Sequence, residues 1–211
     1  MKSLAKHSLI VIFVLGWVHI PARGQVCEGI ENGGFESGNT SWVITSSGSP
    51  VVSQSSLFSR TGSWFAWFGG QLFEPLMQSI EQTITIPLGR AELSYYLRIP
   101  ENSTDEADFL AVSIDDNELV YFTVEDATAF RTGYRKITHN LIDFADGTSH
   151  TIRFESFVSG TPVTSFRVDD ISLNLCPAPK GEELFLFTDR WRETGYGTEE
   201  LIGLLEELKG K

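Results

Sequence analysis

The sequence has 211 residues, 41% apolar, 12% aromatic and 21% charged, with 16 Lys and Arg against 28 Asp and Glu for a net charge of −12. That is room for one globular domain, too apolar for a disordered chain and too short for a barrel enzyme with a separate cofactor domain. The negative charge removes nucleic acid and anionic lipid as default partners, and two cysteines with four histidines leave few groups for nucleophilic or metal catalysis.

Residues 1–24 begin with Lys2 and Lys6, run through the apolar stretch from Leu9 to Leu15, and end in Pro21-Ala22-Arg23-Gly24. A basic start, an apolar centre and small residues at Ala22 and Gly24 predict a secretory signal cleaved before Gln25. A membrane anchor needs about 20 uninterrupted apolar residues, and His19, Pro21 and Arg23 close the run early, so no membrane span is expected after cleavage. The secreted chain keeps 13 basic and 28 acidic residues, a net charge of −15, and only His139 and His150 of the histidines.

Residues 25–176 read as strands and turns. Trp64, Ala66 and Phe68 form one face of a strand, with Phe65 and Trp67 on its reverse. Ala91, Leu93, Tyr95, Leu97 and Ile99 alternate with Glu92, Ser94, Tyr96 and Arg98, the period of a half-buried strand. Ile152, Phe154 and Ser156 alternate likewise with Thr151, Arg153 and Glu155, and Asp115-Asp116-Asn117 separates two apolar runs as a hairpin turn. Further turn signals at Gly38, Gly48, Gly69-Gly70, Pro87 to Gly89, Gly147 and Gly160 recur at sandwich spacing. The fold class is all-β, with about ten strands and no amphipathic helix before residue 180. The acidic group Glu101, Asp105, Glu106 and Asp108 reads as a solvated loop.

Export permits a disulfide, and Cys27 and Cys176, 149 positions apart, are its only candidates; the alternative is two unrelated thiols. Pairing them would stabilise the fold by about 5 kcal/mol in the chain-entropy model. It would also make the first and last strands antiparallel neighbours, bringing Glu36 near Asp169 and Asp170.

Four segments in order carry a resemblance: Asn32-Gly33-Gly34-Phe35-Glu36-Ser37-Gly38 with Trp42, Arg60 to Gly70, Gln82 to Pro87, and Phe166-Arg167-Val168-Asp169-Asp170-Ile171-Ser172-Leu173. Together they resemble secreted jelly-roll modules, including xylan- and glucan-binding carbohydrate-binding modules, over about residues 27–175. The last segment is also similar to the end of MAM adhesion domains. The resemblance implies a jelly-roll β-sandwich and a structural calcium at Glu36, Asp169 and Asp170, with Gly34 and the turn at Thr61 completing the oxygen shell. A plain bulge at Asp169-Asp170 beside a solvated Glu36 is the alternative.

No nucleophile elbow, zinc-binding helix pair, phosphate loop or Cys-x-x-Cys motif occurs, so a non-catalytic module is expected. Aromatic faces flanked by polar side chains are what sugar recognition uses. Phe65, Trp67, Tyr96, Arg98, Arg153 and Phe157, on the polar faces of their strands, are the candidate ligand residues. Glycan is the expected partner, and an extracellular protein, bound in the manner of a MAM module, is the alternative. Residues 177–181 read as a linker. In residues 182–211, Leu184, Phe187 and Trp191, then Leu201, Leu204, Leu205 and Leu208, are spaced as two short helices that dock on the sandwich or on a partner. Asn39 and Asn102 lie in glycosylation sequons.

Overall fold

A computed structural model describes residues 27–70, 75–100, 107–160 and 163–177, with residues 176 and 177 described by backbone alone. The expected signal at 1–24, most of the linker and the helices at 182–211 lie outside the described residues. The strands are β1 (Val43–Ser46), β2 (Val52–Gln54), β3 (Trp64–Gly69), β4 (Leu76–Thr85), β5 (Gly89–Arg98), β6 (Phe109–Ile114), β7 (Asn117–Thr123), β8 (Arg135–Asn140), β9 (Ser149–Val158) and β10 (Ser165–Pro177). One short helix, α1 (Ala127–Phe130), follows β7. Among the described residues no helix is long and apolar enough to cross a membrane.

Two five-stranded antiparallel sheets form the sandwich, β1-β4-β9-β6-β7 and β2-β3-β10-β5-β8. The period-two patterns make them: Ala91, Leu93, Tyr95 and Leu97 of β5 point to the same interior as Ile152 and Phe154 of β9, where the Tyr95 and Phe154 rings meet edge to face. The hairpin at Asp115 and Asp116 joins β6 to β7 with both residues at positive φ, 47° and 62°, as a tight primed turn requires.

The first described residues run beside the last strand, as expected. Glu28 bridges Asn174, the Leu175 amide donates to the Cys27 carbonyl, and the Gly29 amide donates to the Leu173 carbonyl. The pairing of Cys27 with Cys176 turns on a side chain outside the described residues. β10 continues through Pro177, paired with Gly89, so the ladder reaches the first residue of the expected linker.

One loop expectation is corrected. Asp108 is fully buried, accepting hydrogen bonds from the Ser159 amide at 2.7 Å and from the Thr164 hydroxyl. A carboxylate is held inside when amide and hydroxyl donors replace its water. Residues 101–106, with Glu101, Asp105 and Glu106, lie outside the described residues.

Candidate functional site

The predicted site residues fall on two opposite faces of the sandwich. Phe65, Trp67, Tyr96 and Arg98 lie on the outer face of the sheet that holds β3, β10 and β5, together with Arg167. Residues 55–62 fold back over this face. Phe58 meets Trp67 edge to face at 6.2 Å and the Arg167 guanidinium lies over the Phe58 ring at 4.3 Å. Tyr134 donates its hydroxyl proton to the Phe58 carbonyl at 2.7 Å, and Arg60 stacks on Tyr96 at 3.4 Å from the ring centroid. Phe65, stacked on Trp67, is fully buried, and the Trp67 indole N–H is used by the Ser165 hydroxyl at 2.6 Å. Phe65 and Trp67 do point away from the core, yet the strap makes them the floor of a small second core. That corrects the expectation of an exposed aromatic platform at Phe65. Arg98 donates to the Arg131 carbonyl at 3.4 Å.

The carboxylates expected to converge do so around the turn that ends this strap. Glu36 Oε1 accepts from the amides of Ser63 and Trp64, each at 2.9 Å. Asp169 Oδ2 accepts from the amides of Arg60 at 2.7 Å and Thr61 at 3.3 Å. Asp170 takes the Thr61 hydroxyl at 2.6 Å and pairs with Arg60 at 2.5 Å. Backbone geometry explains the convergence. Asp170 has φ +49° at a register shift between Asp169 and Ser172, so consecutive acidic side chains both reach the turn. Gly34 sits so close that a Cβ there would lie 3.4 Å from Asp170 Oδ1. Burial pushes the Asp169 carboxyl up to about 6, with the neighbouring Asp170 charge adding to it against the amides that lower it. The expected bulge and the expected acidic cluster are therefore one feature. Among the described residues no three carboxylate, imidazole or thiol groups stand close enough to form a metal cluster as placed.

The opposite sheet carries the remaining two predicted residues, Arg153 and Phe157, on its outer face. Phe109 is paired with Phe157, and Phe157 with Met77, so the three stand in one row across β6, β9 and β4. Tyr121, paired with Ala111 one row along, stacks on Phe109 at 4.8 Å with 25° between the rings. Phe109 and Phe157 are 6.4 Å apart, and Tyr121 and Met77 are 43% and 47% exposed. About 13 Å further along β9, four residues at strand rise, Arg153 donates from Nε to Glu81 Oε2 at 2.8 Å and pairs with Glu155 at 3.3 Å. Here a shallow cavity of about 320 Å³ is lined by Glu81, Ser113, Asp115, Asp116, Thr151 and Arg153. One exposed face thus offers apolar ring surfaces at one end and fixed donors and acceptors at the other. Phe109, Tyr121, Glu81 and Asp116 escaped sequence reasoning. The alternation of Phe109, Ala111 and Ser113 against Leu110, Val112 and Ile114 was the available signal for the first.

His150 holds the wall of that cavity. It is buried, with Nδ1 2.5 Å from Asp115 Oδ2 and Nε2 3.0 Å from Asp146 Oδ1, while the Thr151 amide donates to Asp115 Oδ1 at 2.8 Å. Burial disfavours the imidazolium, but hydrogen bonds to the two carboxylates outweigh it and raise the His150 pKa. His139 instead stacks on Tyr95, and burial lowers its pKa.

No protein-family model matches the sequence, and no curated protein matches it. Solved structures do. A family 61 carbohydrate-binding module in complex with β-1,4-galactotriose is similar at 16% identity and a TM-score of 0.52, over 69% of this chain and 97% of that one. The K1 cleaved adhesin domain of Lys-gingipain from Porphyromonas gingivalis W83 aligns at 13% identity and 0.49, over 70% and 94%. A family 16 carbohydrate-binding module aligns at 16% and 0.44, over 68% and 97%. At such identities the likeness is one of fold alone, the two-sheet β-sandwich that this chain shares with the family 61 module.

Proposed function

We propose that this carbohydrate-binding-module-like sandwich is a secreted, non-catalytic module that binds a glycan on the outer face of the β1-β4-β9-β6-β7 sheet. The observation that carries the reading is the row of Phe109, Phe157 and Met77 with Tyr121 stacked beside it, continuous along β9 with the hydrogen-bonding group Arg153, Glu81 and Glu155. Pyranose C–H faces stack on such rings while hydroxyls need donors and acceptors of fixed direction. The span of about 13 Å from Phe157 to Arg153 suits a short oligosaccharide lying along the strand. The similar module seen with β-1,4-galactotriose makes that sugar a first ligand to try.

A structural calcium belongs to the same proposal. Its fit rests on donor chemistry: Glu36, Asp169 and Asp170 supply hard oxygens around one turn, and the buried Asp169 stands beside the like charge of Asp170. Those three side chains, with backbone oxygens near Gly34 and Thr61, would hold the ion, which would add rigidity to the strap. Chelation is then expected to lower the melting temperature of wild type but not of Glu36→Gln.

The test of the binding reading is a glycan array on residues 25–211 with Tyr121→Ala and Phe157→Ala beside wild type. Binding lost in both variants supports the reading. Binding kept in both places the glycan on another face, and self-association without any glycan supports the MAM-like alternative instead.

A further inference from the structure

Resting on the saccharide reading of this face, we infer that the site selects by charge: it takes saccharides without acidic groups and rejects uronates, and Glu81 and Glu155 enforce the choice by occupying Arg153. Of the six residues lining the cavity, three are carboxylates, Glu81, Asp115 and Asp116, and one is a cation, Arg153. An unoccupied guanidinium presents a planar fork that matches a carboxylate, and would make this cavity a uronate clamp. Here Glu81 takes two of its nitrogens, at 2.8 and 2.7 Å, and Glu155 takes the third at 3.3 Å. A uronate arriving at Arg153 must displace one of these and sit beside both.

The other wall adds to the effect. Asp115 is tied to His150 and to the Thr151 amide, so its charge is fixed in place, and Asp116 follows it in a turn whose backbone leaves little freedom. Hydroxyl groups meet no such penalty, because they are neutral and find donors and acceptors in Arg153, its two carboxylate partners and Thr151. Since salt screens charges beyond about 8 Å under physiological conditions, the local carboxylates rather than the chain's overall negative charge set the selection.

The experiment is affinity electrophoresis of residues 25–211 in gels containing β-glucan, xylan, galactan or polygalacturonan, at low salt and at 0.5 M NaCl. Wild type is expected to be retarded by at least one neutral polysaccharide and not by polygalacturonan. Glu81→Gln/Glu155→Gln frees Arg153, and is expected to gain about tenfold in affinity for polygalacturonan, the gain shrinking at high salt. Asp116→Asn removes a charge at an exposed turn that Asn also tolerates, and is expected to gain a smaller factor in the same direction. Wild type retarded by polygalacturonan as strongly as by a neutral chain overturns charge selection. So does the absence of any gain in both variants, each shown folded by its melting curve. Both results leave the saccharide reading standing. No retardation in any gel overturns that reading and the inference with it.

Discussion

Replacing Gly62 by Ala probes the turn on which three carboxylates converge. Gly62 has φ +57°, and a Cβ there would lie 2.2 Å from Glu36 Oε1. Ala in this left-handed conformation costs about 1 kcal/mol. The Glu36 carboxylate is the end of a flexible side chain and can retreat, but only by giving up the amides of Ser63 and Trp64. Those are partly solvated bonds to a charged acceptor, and their loss costs about 1 to 2 kcal/mol in total. Gly38 supplies the control, with φ +63° and open space where a Cβ would be. At about 2 to 4 °C per kcal/mol for a chain of this size, Gly62→Ala should melt about 8 °C below wild type and Gly38→Ala about 3 °C below. Thermal unfolding by circular dichroism reads both. Equal melting temperatures for the two variants would refute the Glu36 contact as the element that fixes the turn.

Two further outcomes follow from contacts elsewhere. The raised His150 pKa means that its contribution to stability is whole below about 6.5 and fades as pH rises through the folded value. Asp146, lowered to about 2 chiefly by hydrogen bonds from the Thr148 amide and hydroxyl and then from His150, contributes above about 3.8 and loses its contribution as pH falls. Melting temperature should therefore decline from pH 6 to pH 8 in wild type and decline less in His150→Asn; parallel curves would show that the imidazole does not titrate between its two carboxylates. Peptide mapping without reductant should recover Cys27 joined to Cys176, as the Leu175 amide bonded to the Cys27 carbonyl favours, and two alkylated thiols would decide for the alternative.

Strand positions were legible because period-two alternation is a direct consequence of one buried face. Leu93, Tyr95 and Leu97 are all fully buried, as their spacing required. The acidic turn was legible as well, through its resemblance and through the antiparallel pairing of the chain ends. The ligand face was only half legible. Alternation tells which side of a strand a residue occupies, and it correctly turned Phe65 and Trp67 away from the core. It does not tell what lies over that side, and the covering strap with Phe58 and Arg60 has no periodicity to announce it. Phe109 and Tyr121 were missed for the complementary reason: their partnership with Phe157 exists only in the cross-strand register, which a single chain does not display.

On this reading a glycan lies along β9 between Phe157 and Arg153. A titration of isotope-labelled protein with a neutral oligosaccharide, followed by amide shifts in NMR, tests it most directly. Saturable shifts are expected, concentrated on β6, β7 and β9 around Phe109, Tyr121, Arg153 and Phe157. Shifts concentrated instead on residues 55–67 would contradict it, placing the ligand on the strapped face.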